Sequence, residues 1–367
     1  MSISCIVQAL LAAMAAEGQQ ARPLFECGFD TEEEAAAWRT FRETDRLQWL
    51  SRAESEKDVK SGEGSLCLSF TPGKGTFPAI FRDLELNEPV GAVDLWVKVD
   101  RTTQVMVSLV ERAEGENGTP RRGEAFSVQF HADGGKWTRA TIPLSDFARD
   151  PSSAPGDSRL DPAKLGGIAI LDGLAVFASA AESSVEFLGD HASPQRIVLD
   201  EFRVLGVSDS ASPPRPAGTV DNFDRNYLTW VPLIGVDIER TPMPGAASGY
   251  GLTARYTRSS GVIPAVVKPI QQRLSGSELG LLVRASGPVQ LQVGLEDQDG
   301  TKWHRKFTVR STEGQTVWLP LSGFETSEDS KFRDRPATFE RLKQISILDG
   351  TSDPGPAWFQ IGDITVR

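Results

Sequence analysis

Residues 77–99 read FPAIFRDLELNEPVGAVDLWVKV, residues 263–285 read IPAVVKPIQQRLSGSELGLLVRA, and the two align without a gap at a shift of 186. The same shift carries Val105, Val107 and Leu109 onto Leu291, Val293 and Leu295. At a shift of 177, Pro143, Leu144, Ser145 and Phe147 fall on Pro320, Leu321, Ser322 and Phe324. That shift also places Leu165, Ile168, Ile170 and Leu171-Asp172-Gly173 on Leu342, Ile345, Ile347 and Leu348-Asp349-Gly350. Near the end, VLDEFRV (198–204) matches QIGDITV (360–366) at a shift of 162. One register held across such separated blocks marks an internal duplication. The shift changes only where copy one has longer loops, at residues 111–123 and between Gly173 and Arg196.

Within the blocks apolar residues alternate, as in Val93, Leu95, Val97, Val99 and in Leu279, Leu281, Val283. A period of two is that of a strand with one buried face. Turns such as Ala132-Asp133-Gly134-Gly135 and Asp297-Gln298-Asp299-Gly300 separate the runs, and little beyond residues 32–38 has room to be helical. The repeated Asp172-Gly173 and Asp349-Gly350 read as turns that end a strand. The predicted fold class is all-β, two tandem antiparallel β-sandwich (jelly-roll) domains. Residues 23–206 form copy one, 207–218 a Ser/Pro-rich linker, and 219–367 copy two.

With 34 glycines and 23 prolines in 367 residues, the composition suits a turn-rich globular protein of two cores. A net charge of −11 repels phosphate backbones and anionic lipid, so nucleic acid is not an expected partner. Residues 5–16 (CIVQALLAAMAA) are apolar but too short to span a bilayer, and Ala13, Ala15 and Ala16 suit cleavage. Residues 1–22 are read as a signal peptide, which makes the protein secreted or periplasmic, although no basic residue precedes Arg22. Removal of that segment leaves Cys27 and Cys67, either a disulfide or two buried thiols.

Several residues resemble the galactose-binding-like jelly rolls found as carbohydrate-binding modules. These are Phe29-Asp30 and Phe223-Asp224 with Trp38 and Trp230 shortly after, the Gly-Ser-Leu strand at Gly64, the Trp-Thr/Pro-Leu-Ser-x-Phe segment, and the closing Asp-Glu-Phe-x-Val strand. The related domain of the mitochondrial complex I intermediate-associated protein is similar in layout. The resemblance implies a sheet face that holds sugar, where rings cover C–H faces and amides and cations meet hydroxyls. Outward positions in copy two are Leu282, Arg284, Gln290, Gln292, His304, Lys306 and Trp318. Those in copy one are Trp96, Lys98, Gln104, Met106, Gln129 and His131, with Trp137 and Arg139 nearby. The copies diverge here, Leu282 standing for Trp96 and Thr141 for Trp318. The resemblance also implies a structural Ca²⁺ tying first strand to last, through Glu26, Asp30 and Asp200 in copy one and Asp221 or Asp224 with Asp363 in copy two.

Catalytic signatures find no support. His131, His191 and His304 have no partner at metal-ligand spacing, and neither a Gly-x-Ser-x-Gly elbow nor a phosphate-binding Gly-x-x-x-x-Gly-Lys occurs. Only Tyr227, Tyr250 and Tyr256 are available for lyase chemistry, and no Tyr or His is repeated between the copies. The expected function is a non-catalytic carbohydrate-binding protein engaging a polysaccharide or glycan, with no membrane span. The alternative is a structural or assembly protein that turns the same faces toward a protein partner.

Overall fold

The computed structural model describes residues 23–73, 77–86, 88–114, 120–150, 153, 156–180, 193–207, 215–233, 235–259, 263–270, 272–310 and 312–367. The expected leader and most of the linker lie outside these residues.

Copy one contributes twelve strands: β1 (Pro23–Cys27), β2 (Arg39–Thr40), β3 (Arg46–Ser51), β4 (Gly64–Phe70), β5 (Ala79–Asp83), β6 (Val90–Val99), β7 (Thr103–Glu114), β8 (Pro120–Ala132), β9 (Trp137–Pro143), β10 (Ala148–Arg149), β11 (Leu165–Asp172) and β12 (Gln195–Gly206). Copy two contributes twelve more: β13 (Thr219–Asp221), β14 (Val231–Pro232), β15 (Val236–Pro242), β16 (Tyr250–Arg258), β17 (Ala265–Pro269), β18 (Glu278–Ala285), β19 (Val289–Asp297), β20 (Lys302–Val309), β21 (Gln315–Pro320), β22 (Glu325–Thr326), β23 (Leu342–Asp349) and β24 (Gly355–Val366). In copy one β3-β4-β12-β6-β9 make one antiparallel sheet, with β1 on β12, and β2-β5-β11-β7-β8-β10 the other. Copy two repeats both orders with every strand number raised by twelve. Two sandwiches of one topology follow directly from the pairing.

Alternation builds the cores. On β6, Val93, Leu95, Val97 and Val99 are at most 1% exposed and join the core with Val105, Val107 and Leu109 of β7. Leu279, Leu281 and Val283 of β18 meet Leu291, Val293 and Leu295 of β19 in the second core. Each such side chain contributes roughly 1.5–3 kcal/mol by leaving water. Phe29 and Phe223 hold matching left-handed backbone, φ 57° and 55°, at the end of the first strand of each copy. The strain, about 1–2 kcal/mol for a residue with a Cβ, is offset by nearly complete burial of both rings. Each turned carbonyl also accepts a hydrogen bond, from Trp49 Nε1 at 2.8 Å and from Arg240 Nε at 2.9 Å.

Two helices depart from pure β structure. α1 (Glu32–Ala36) is capped by Thr31, whose Oγ1 accepts from Glu34 N, in the stretch where the sequence left room for a helix. α2 (Gly173–Ala180) was not expected. Asp172-Gly173 starts this helix instead of a turn, because Asp172 Oδ1 accepts from Ala175 N at 2.9 Å as an N-terminal cap. Asp349 keeps the expected turn, its Oδ1 accepting from Thr351 N at 2.8 Å. Cys27 and Cys67 are free, buried thiols rather than a disulfide. Burial pushes both thiols up in pKa.

The copies interlock. Tyr227 of copy two, 5% exposed, packs in the core cluster of copy one with its ring centroid 6.0 Å from that of Phe130. Its hydroxyl donates to Asp146 Oδ2 at 2.6 Å, and Arg225 donates to both Asp146 oxygens at 2.8 and 2.9 Å. Burial alone would push the Asp146 carboxyl up, but Arg225 and Arg215 outweigh it and hold it below the usual range. His131 N and Gln104 Nε2 then donate to the carbonyls of Leu228 and Trp230, at 2.7 and 3.1 Å.

Candidate functional site

The outward residues of each copy divide between two opposite faces, because consecutive matched strands belong to different sheets. In copy one Trp96, Lys98, Trp137 and Arg139 lie on the outer face of the β6–β9–β12 sheet. Gln104, Met106, Gln129 and His131 lie on the outer face of the β7–β8–β11 sheet. In copy two Leu282, Arg284 and Trp318 belong to the first kind of face, and Gln290, Gln292, His304 and Lys306 to the second. No single surface holds the whole predicted set of either copy.

The first kind of face is internally committed. Asp94 accepts from Arg139 at 3.0 and 3.1 Å, from Thr141 Oγ1 at 2.6 Å and from Arg203 at 2.8 Å. Lys60 Nζ stands 4.3 Å above the Trp96 ring. Trp318 is 38% exposed, yet the Arg367 guanidinium lies 3.6 Å from its ring centroid and Gly280 lies against the ring, where an added Cβ would come within 2.6 Å. Arg284 donates to Gln360 Oε1 and faces Trp358. These rings are already covered by guanidinium or ammonium groups.

The second kind of face differs between the copies. In copy one Gln104 is 1% exposed, held by Trp230 of copy two and beside His131. Ala79, Ala169, Leu171, Phe81 and Met106 form a small apolar cluster with Val176 of α2 laid on it. Gln129 stays half-buried beside this cluster. In copy two the same positions are open and polar. Gln292 pairs across with Lys306, Gln290 with Thr308, and Gly294 with His304 and Ser346. An added Cβ at Gly294 would lie 2.3 Å from Ser346 Oγ, so this glycine keeps the middle of the face low. Gln344 Nε2 donates to Glu296 Oε2 at 2.9 Å, and His304 Nδ1 lies 3.2 Å from Ser327 Oγ. Among the described residues the side chains of Gln290, Gln292, Lys306 and Thr308 have no partner. Cross-strand neighbours of this kind stand about 5 Å apart, the spacing at which one sugar ring meets several of them. Ser346, Gln344 and Thr308 were missed at the sequence level. Their alternation between Ile345, Ile347 and Val309 was the signal that could have found them.

The predicted Ca²⁺ ligands do not converge. Asp200 is fully buried and accepts from the backbone N–H of Lys60, Ser61 and Glu201 at 2.7, 3.2 and 2.7 Å. Asp30 Oδ1 accepts from Glu63 N, and Glu26 is exposed, 4.0 Å from Arg203. Asp221 accepts from Lys268 Nζ at 3.1 Å, Trp230 Nε1 at 3.0 Å and Phe223 N at 3.1 Å. Asp224 pairs with Arg225 and Arg215. Burial pushes Asp221 up, and Lys268 and Arg215 more than reverse that, leaving it below the usual range. Asp363 takes Ala247 N on one oxygen at 2.8 Å; its other oxygen and Asn222 Oδ1 have no partner among the described residues and lie beside a cavity of about 340 Å³. A cation that needs six to eight oxygens does not fit Asp200 and Asp221, whose oxygens already take N–H donors and a lysine ammonium. Among the described residues no group of three His, Cys, Asp or Glu is placed to hold a metal.

No family model and no curated protein matches the sequence. Among solved structures it is similar to the family 11 carbohydrate-binding module of the cellulosomal cellulase Lic26A-Cel5E of Clostridium thermocellum, with 15% identity over 47% of this chain and 88% of that one, TM-score 0.34. It is similar to the tandem CBM22-1–CBM22-2 domain of Xyn10C from Paenibacillus barcinonensis over 96% of this chain and 99% of that one, with 11% identity and TM-score 0.33. A third is TmCBM61 in complex with β-1,4-galactotriose, 14% identical over 51% of this chain and 100% of that one, TM-score 0.30. All three are carbohydrate-binding modules. At such scores the likeness is a resemblance only, and the two-sandwich architecture rests on the strand pairing itself. Among the described residues no helix is long and apolar enough to cross a membrane, which says nothing of β-barrels.

Proposed function

We propose that the chain is a non-catalytic carbohydrate-binding protein that engages a glycan through the outer face of β19, β20 and β23 in copy two, with copy one as its structural support. The observation that carries this reading is the set of Gln290, Gln292, Lys306 and Thr308 side chains, unpartnered among the described residues, on one open sheet face. Amide and ammonium groups serve the hydroxyls of a sugar, and the half-buried Val267 and Leu348 offer apolar ground for its C–H faces. The apolar run at residues 5–16 supports export to a secreted or periplasmic location.

Affinity electrophoresis against a panel of neutral polysaccharides tests the reading with the double variant Gln292→Ala/Lys306→Ala. Two lost hydrogen bonds of about 0.5–1.5 kcal/mol each predict at least about fivefold weaker retention, with thermal unfolding unchanged because both side chains lack partners. Equal retention of parent and variant would discard this face. A parent that binds nothing in the panel favours the alternative, a scaffold that turns these faces toward a protein partner.

A further inference from the structure

On copy one, the edge of the β5–β2 side carries a feature that the proposed face of copy two lacks. Phe41 and Phe77 are 45% and 42% exposed, and they meet edge to face with centroids 5.6 Å apart. Phe41 also lies against Phe81 of β5, centroids 4.7 Å apart. The Arg122 guanidinium from β8 stands 5.5 Å from the Phe41 ring and 5.7 Å from Phe81, and Arg39 stands 4.7 Å from Phe81. Arg39 is paired with Asp83. Arg122 is exposed, and among the described residues no carboxylate pairs with it.

Two exposed rings at a right angle form a corner, and a guanidinium beside it supplies a fork of donors fixed against an aromatic face. In copy two Ile263 and Val267 stand at the positions of Phe77 and Phe81, so neither rings nor cation recur there. The chain as a whole carries a net charge of −11, so an unpaired guanidinium on an apolar corner marks a local reversal of charge. The geometry points to a second glycan subsite on copy one that takes an acidic sugar, a uronate, with its C–H face on Phe41 and Phe77 and its carboxylate on Arg122. The subsite rests on the carbohydrate-binding reading above and extends it from neutral glycan to acidic polysaccharide. Tethering to the copy-two face raises the effective concentration of the second contact wherever one chain of sugar reaches both.

Polygalacturonate and its fully methyl-esterified form serve as the probes, with the full chain and the single variants Arg122→Gln and Phe41→Ala. The parent is expected to be retained more strongly by the charged polymer, and that excess should fall as salt rises. Arg122→Gln should lose about tenfold on polygalacturonate and nothing on the ester, whereas Phe41→Ala weakens retention on both. The Gln292→Ala/Lys306→Ala variant should keep the Arg122-dependent excess. Equal retention of parent and Arg122→Gln on polygalacturonate, or no retention of the parent by it, overturns the subsite. Either result leaves the neutral-glycan measurement on copy two standing by itself.

Discussion

The outer faces of the β5–β11–β7–β8 sheet and the β17–β23–β19–β20 sheet are one surface made twice. Strand order and registers coincide, and the inward positions keep their character, Val105, Val107 and Leu109 against Leu291, Val293 and Leu295. Outward, Met106 becomes Gln292, Ala169 becomes Ser346, Gly167 becomes Gln344, Val110 becomes Glu296 and Gln129 becomes Lys306. Copy one closes its face with α2 and with the Leu228–Trp230 backbone; copy two leaves its own open. A duplicated sandwich retains its core because each buried methylene is worth about 0.8 kcal/mol. Solvent-facing positions cost little to change, so function diverges there first.

The largest break in this comparison is expected at the plug between the copies. Tyr227→Ala should remove about 3–5 kcal/mol from copy one and split thermal unfolding into two calorimetric transitions. Tyr227→Phe keeps the ring and loses only the bond to Asp146, about 1–3 kcal/mol. Equal losses from both variants would show that the charge network, not the ring, joins the copies.

Asp200 gives copy one a pH dependence that copy two lacks, since Gly362 holds the matching place. Burial pushes its carboxyl up to about 6, against the lowering effect of three backbone N–H donors. Between the unfolded value near 4 and about 6, the native chain binds more protons than the unfolded one. Stability is therefore lost as pH rises through that window and levels off above it, by about 2–3 kcal/mol. The difference in melting temperature between parent and Asp200→Asn, followed from pH 4 to 7, isolates this group from the carboxylates whose pKa is lowered. A flat difference profile would show that folding leaves the Asp200 pKa unchanged.

The smallest effect is expected from calcium. Excess Ca²⁺ or EDTA should leave the unfolding temperature of both copies unchanged within error. A rise with Ca²⁺ that Asp363→Asn abolishes would place an ion in the cavity beside Asn222 and reverse this reading.

The duplication, the all-β class, the core residues of both copies and the outward positions of Gln290, Gln292, His304 and Lys306 in copy two were legible in the sequence. Alternation and recurrence are local or fixed-offset properties, so a single chain displays them. Tertiary structure alone decided which outward residues share a face, since Gln292 and Trp318 both alternate correctly yet sit on opposite sides of the sandwich. The helix at Gly173 was hidden because Asp-Gly can either end a strand in a turn or cap a helix, and the chain that follows determines which. Nor does any pattern announce that Lys268 neutralises Asp221 from 47 positions away, or that Tyr227 seats in the core of the other copy. Electrostatic pairing and packing act through space, at distances of a few ångströms between residues that the sequence holds far apart, and that proximity exists only once the chain has folded.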